Sequence, residues 1–291
     1  MTNPRFRPDP QREFATRTKL LADHGVEMPP ELEALRRRQT DFDNLGHPCL
    51  DRLVDQVTSG GPTKNAGTAE MFALAVAESL NASHSGVIRK AVHDACHQQA
   101  VQIYRQVAAD NYRAVAAEWN TLGAQFSGQA KLIDPEMPAI DAHRLPEPER
   151  QAWIAVEQTA HQLDLLQETL IAAAALAGVK DTDLDTVVLP LCVDVDGHHR
   201  RRLWASFDTK GTRCSRWSAL HALGATIRAH PAEQLDNLEP YAEPAPVQHV
   251  QRPDPDKPGR VTNVVIDPED GSSATLVAPF EVRRPSGLTV A

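Results

Sequence analysis

The chain is 291 residues long, 41% hydrophobic and 24% charged, with 39 acidic side chains against 30 basic ones and a formal net charge of −9. That balance excludes a collagen-like, mucin-like or fully disordered chain, and the length suffices for one large domain or two ordinary ones. No apolar run reaches the ~18 residues that a membrane-spanning helix needs.

The N-terminus, MTNPRFRPDPQREF, carries basic residues but lacks the apolar region of a secretory signal. Cys49, Cys96, Cys192 and Cys214 are scattered, with no CxxC pair. Reduced thiols and a cytoplasmic address are therefore expected, with no membrane partner. Arg outnumbers Lys by 23 to 7 and Ala is frequent, the bias of a GC-rich bacterial or bacteriophage coding sequence.

The elements follow in chain order. Between Pro10 and Pro29 a helix is expected over Gln11–Asp23, and Pro30 is suited to open a second over ELEALRRR. Cys49–Val57 reads as a short helix ended by Gly60-Gly61-Pro62, and Thr68–Leu80 as a helix by Met71, Leu74 and Ala75. The strongest pattern is Tyr104, Ala108, Tyr112, Val115, Trp119, Leu122 and Phe126, in steps of three and four. Ile88, Val92 and Ala95 extend it upstream, so a single helix over 87–127 is predicted, roughly 60 Å long at 1.5 Å per residue. After a Pro-containing loop, Trp153, Val156, Ala160, Leu163, Leu166 and Leu170 predict a helix over 147–177, with Gly178 as its C-cap. Two such stripes joined by one loop are expected to lie antiparallel.

Beyond Asp185 the pattern changes. TVVLPLCVDV reads as a strand, Asp196-Gly197 as a turn and RRRLWASFD as the returning strand, followed by a helix over 215–230 capped by Ser215. Residues 231–259, rich in Pro, Glu and Asp, read as an exposed loop, and RVTNVVID and TLVAPFEV as a closing hairpin around Pro268–Gly271. The fold expected is mainly α: an elongated antiparallel helical hairpin or bundle over 1–183, then a small α+β (ββα–ββ) module over 184–291.

Two constellations invite chemistry. The first is His93-Asp94-Ala95-Cys96-His97, two imidazoles at i and i+4 on one helical face, the spacing of a zinc pair, with His84 or Cys96 as a further ligand. It resembles the HExxH zincin motif in outline, but Asp94 stands where the general-base Glu would be, and no Gly-x-x-His follows. The second is a basic island in an acidic chain, since residues 200–228 hold seven basic side chains and one acidic one. Arg200, Arg201, Arg202, Lys210, Arg213 and Arg216, with Trp204 beside them, are the residue types that contact phosphates and stack on bases. On a strand Arg200 and Arg202 would share a face with Trp204.

Phosphate-binding, nucleotide-binding and nucleophile-elbow glycine motifs are absent. Asp194-x-Asp196-Gly197 opens like a calcium loop but has Leu203 where the closing Glu belongs, so a turn is the better reading. With no complete catalytic set and two long apolar stripes, the expected function is a non-enzymatic interaction or assembly protein that self-associates through helical seams and needs no cofactor. Nucleic-acid binding through 198–216 is the first alternative, and a zinc hydrolase using His93 and His97 the second.

Overall fold

The computed structural model describes residues 9–44, 52–55, 58, 66–80, 82–180, 184–253, 261–268 and 273–275. The architecture is mainly α, with two small antiparallel sheets in the C-terminal part. Helices α1 (Pro10–Asp23) and α2 (Pro30–Asp43) open the chain, followed by α3 (Ala66–Leu80), α4 (Ala82–Arg105) and α5 (Ala108–Ala130). The short α6 (Ala139–Ala142) leads into α7 (Glu147–Ala177) and α8 (Leu184–Cys192). The remaining elements are β1 (Val193–Asp194), α9 (Arg200–Phe207), α10 (Ser215–Ala222), β2 (Thr226–Ile227), a 3-10 turn over Ala232–Asn237, and strands β3 (Gln248–Pro253), β4 (Val261–Ile266) and β5 (Ser273–Thr275). The helix expected over Cys49–Val57 and the Gly60–Pro62 break lie largely outside the described residues.

The central contact is the pairing of α5 with α7. Tyr112, Val115, Trp119 and Phe126 are buried from one helix, and Val156, Leu163, Leu166 and Leu170 from the other. Helix α7 starts and stops where the sequence says. Pro148 sits in its first turn, and Gly178 closes it at φ +127°, with its amide donating to Ala175.

The upstream helix differs from expectation, because it breaks at Gln106-Val107. There the Gln106 and Val107 amides turn back onto the Ile103 and Tyr104 carbonyls, a tighter turn than the α-helix repeat. No Gly or Pro marks the break. It separates two packing tasks: α4 lies on α2, while α5 lies on α7. Tyr104 and Ala108, on either side of it, are both buried.

Both strands expected after Asp185 are mainly helical. TVVLPLC forms α8, with Pro190 inside it. The proline cannot donate to the carbonyl four residues back, and that carbonyl, on Thr186, accepts instead from the Tyr241 amide at 2.9 Å. The carbonyls at the helix end are also taken, Leu191 by the His230 amide and Cys192 by the Arg228 amide. RRRLWASF forms α9, which buries the adjacent Leu203 and Trp204 together with Phe207. A strand would send adjacent residues to opposite faces, whereas a helix holds 203, 204 and 207 within one arc.

The next helix ends at Ala222 instead of continuing to 230. Gly224 (φ +83°) turns the chain into β2, which pairs antiparallel with β1 through Val193↔Ile227. Ser215 is inside α10 at φ +49° and does not cap it. Residues 231–259, expected as a loop, contain the 3-10 turn and β3, which joins β4 in register from Gln248↔Ile266 to Pro253↔Val261. The closing hairpin is present as β4 and β5 (Val264↔Thr275), and its turn lies mostly outside the described residues.

One buried apolar cluster includes Leu21, the α5–α7 residues, Leu189 and Leu191 of α8, Leu203 of α9, Trp217 of α10 and Leu235. Cys192 and Cys214 are within it, and burial pushes both thiols up, Cys214 to about 12. Neither is a thiolate at neutral pH, so both act as small apolar side chains.

Gly123 sets how closely β2 crosses α5. A Cβ there would lie 2.3 Å from the Ile227 carbonyl oxygen, which is backbone and cannot swing aside. Gly123→Ala is expected to destabilise the fold by about 1–3 kcal/mol. Gly128→Ala on the same helix meets nothing within 4 Å and is expected to stabilise it by about 0.5–1 kcal/mol. Paired urea melts check both signs.

Candidate functional site

The basic island folds inward. Arg201 forks onto Asp267, beyond the end of β4, with Nε donating to Oδ2 at 2.5 Å and Nη2 to Oδ1 at 2.9 Å. Its Nη2 also donates to the Ala245 carbonyl, so one guanidinium ties α9 to the three-stranded sheet. Trp204 is only 8% exposed: its Nε1 donates to the Ala242 carbonyl at 3.1 Å, and its ring meets Phe207 edge to face and stacks with Tyr241. Arg213 rests on the Trp153 ring, its guanidinium 3.6 Å from the centroid, and donates to Glu157 and to the Pro135 and Trp153 carbonyls. Arg216 covers Phe207 and donates to Gln167 at 3.3 Å. Arg200 is half-buried at the start of α9, whereas Arg202 and Lys210 are exposed. The helix thus replaces the single arginine face expected of a strand: Arg201, Arg213, Arg216 and Trp204 hold elements together, and Arg202 and Lys210 face solvent.

Glu136 anchors the same region. Its Oε1 accepts from the Cys214 amide at 2.9 Å and from the Ser218 hydroxyl, and its Oε2 accepts from the Arg213 amide at 2.8 Å. A carboxylate at the start of α10 satisfies amides that have no partner within the helix. Sequence reading gave Ser215 that role; Ser215 Oγ instead donates to the Thr212 carbonyl. The capping residue comes from nearly eighty positions upstream, where only tertiary structure could reveal it.

The two histidines at helical spacing are on α4, each with its own neighbour. His93 Nε2 lies 2.6 Å from Asp43 Oδ1 at the end of α2, and His97 sets its ring against Phe14 of α1 at 5.6 Å, edge to face. Asp94, between them, accepts from Lys90 and Gln11, and those bonds hold its carboxyl below the usual range against a smaller opposing effect of burial. The His84 side chain lies outside the described residues. Among the described residues no group of three or more His, Cys, Asp or Glu side chains is placed to hold a metal ion. The Asp194–Gly197 segment is a turn, with the Asp196 amide donating to Asp194 Oδ1 at 3.2 Å and Gly197 at φ +75°.

The unusual surface is α3. Its narrow inward strip is Thr68, Met71 and Ala75, and α3 touches α4. Phe72 (60% exposed) and Val76 (38%) share one flank with Ala69 and Ala73, and Leu74 (49%) is on the other. Val87 on α4 is 68% exposed. An apolar helix held along one thin strip leaves most of its side chains in water. Its sequence signal, the uninterrupted MFALAVA, shows no period that separates an inner from an outer face.

Among the described residues no helix is long and apolar enough to cross a membrane. No protein-family model, no curated protein and no solved structure matches the chain.

Burial, the largest single influence on Glu136, opposes ionisation, but its hydrogen bonds together outweigh it and hold the carboxyl below the ordinary value. A depressed carboxyl contributes stability above the unfolded-state pKa of about 4.3 and loses it as pH falls through the lower folded value. Glu136→Gln is therefore expected to cost about 1–3 kcal/mol at neutral pH, with the gap to the parent chain closing in acid below the ordinary Glu range. Thermal melts at pH 7 and in acid read both.

Proposed function

We propose that the protein is a non-enzymatic assembly protein that self-associates through α3 and the adjoining start of α4. The observation that carries this reading is the exposure of Phe72, Leu74 and Val76 on one short helix, with Val87 exposed on the next. Clustered large apolar side chains on a surface mark a contact site, and each is worth about 1.5–3 kcal/mol when fully buried. The long stripes Tyr104–Phe126 and Trp153–Leu170 are used within one chain, which leaves α3 as an exposed apolar helix that a second one could cover.

A second copy is the occupant we favour, on grounds of charge. Glu70 and Glu78 are the only charged residues of α3, so the face offers no pattern that selects a partner of opposite sign. An apolar face is complementary to itself across a two-fold axis. Nucleic-acid binding through 198–216 is less well supported, because Arg201, Arg213, Arg216 and Trp204 already have internal partners.

Sedimentation velocity of the parent chain from micromolar to tens of micromolar tests the proposal, beside the double variant Phe72→Glu with Val76→Glu. Both positions are exposed, so the variant is expected to fold with an unchanged melt. The parent is expected to shift from monomer to dimer as concentration rises, and the variant to remain a monomer. A parent that stays monomeric throughout, or a variant that dimerises as well as the parent, overturns it.

A further inference from the structure

A second feature lies elsewhere in the fold and uses no residue of α3. Where β2 crosses α5, a groove of about 770 Å³ opens between the C-terminal half of the helix and residues 221–228. Its floor is low because α5 carries Gly123, Ala124, Ser127 and Gly128 there. Gly123 is needed for the crossing itself, but Gly128 is not: a Cβ at Gly128 would meet nothing within 4 Å.

The charge of this groove runs against that of the chain. The protein is net acidic, yet among the described residues the lining contains Lys131, Arg228 and His221 and no Asp or Glu. Among the described residues neither the Lys131 ammonium nor the Arg228 guanidinium has a carboxylate partner, in contrast to Arg201, Arg213 and Arg113. The His221 imidazole is held below its ordinary pKa by burial and by the charge of Lys131, so it is neutral at pH 7 with a ring nitrogen free to donate. Asn120, at the rim, already accepts from the Ala229 amide through its side-chain oxygen, which fixes the amide group and leaves its NH₂ as a further donor.

Lys131 by itself has a simpler account, since it follows the last residue of α5, where a cation complements the helix dipole. Arg228 comes from the other element, just after β2, and also lines a neighbouring groove with Asp194 and Asp196. Two cations from different elements without a carboxylate partner, lining one groove together with neutral donors, form an arrangement suited to a multiply charged oxygen anion. The groove volume is within the range of small-molecule sites and exceeds what a bare phosphate fills.

We infer that this groove binds a small molecule bearing a polyoxyanion group, with Arg228 and Lys131 holding the charge and Asn120 and His221 donating to its oxygens. Phosphate esters and polycarboxylates share that chemistry.

Isothermal titration calorimetry of the full chain at pH 7 and constant ionic strength, with pyrophosphate in one arm and citrate in the other, tests the inference and separates the two sources. Saturable binding in at least one arm is expected, weakened at least tenfold by the double variant Arg228→Gln with Lys131→Gln. It is expected to be blocked by Gly128→Leu, which fills the floor, and unchanged by Arg202→Gln, an exposed cation outside the groove. Melting curves establish that each variant is folded. No saturable heat with either anion, binding that survives the double variant, or an equal loss with Arg202→Gln overturns it.

Discussion

The fold depends on the side of α5 that carries Trp119. This residue is fully buried in the seam with α7, its Nε1 donates to the Cys192 carbonyl at 3.1 Å, and its ring meets Trp217 edge to face at 5.5 Å. One indole thus joins the helical pair, the end of α8 and the start of α10. Tyr112, two turns earlier on the same face, donates to the His230 carbonyl at 2.7 Å and repeats the arrangement one strand further along the chain. The C-terminal segments dock on the helical pair through side chains that also build its core. Burial of a polar ring atom is tolerated only with a partner, so each of these aromatics fixes a position as well as filling space.

Around that core the charges serve cohesion. Arg201 with Asp267, Arg213 with Glu157 and the Trp153 ring, and Glu136 with the amides just before α10 each link segments far apart in sequence. Arg suits this work because its planar fork satisfies a carboxylate and a carbonyl together, and its face packs on aromatic rings. A cluster that looks like a surface for phosphates is, for the most part, a set of internal ties. Among the described residues, surface features of different character stand beside these ties, the apolar face of α3 and the cationic groove beside β2.

The parts legible in sequence are those where local pattern and tertiary demand agree. The stripe from Trp153 to Leu170, the prolines before it and Gly178 after it all point to one helix, and that helix is present with those bounds. The partner stripe was equally readable, but the break at Gln106-Val107 was not, because it answers to the divergence of α4 toward α2 and has no local breaker. TVVLPLC misleads through its β-branched residues and its proline; the helix survives there because the Tyr241 amide takes the carbonyl that Pro190 leaves open. In RRRLWASF the adjacent Leu203 and Trp204 are the available sign of a helix, while the turn at Asp196-Gly197 suggests a hairpin. The candidate sites suffered more. The arginines were visible as a group, but their partners Asp267, Glu157 and Glu136 are remote in sequence, and the groove at Lys131, His221 and Arg228 exists only once β2 crosses α5.

Amide hydrogen exchange, followed at dilute and at concentrated protein, addresses the central division between a self-contained seam and an exposed helix. Local openings span the range from near zero to the global free energy, so the two regions separate on this scale. The account predicts that amides of α5, α7 and α8 exchange slowly and at the same rate at both concentrations, while those of α3 exchange fast when dilute and slow down when concentrated. Protection of α3 equal to that of the seam in dilute solution, or seam protection that rises with concentration, would contradict it.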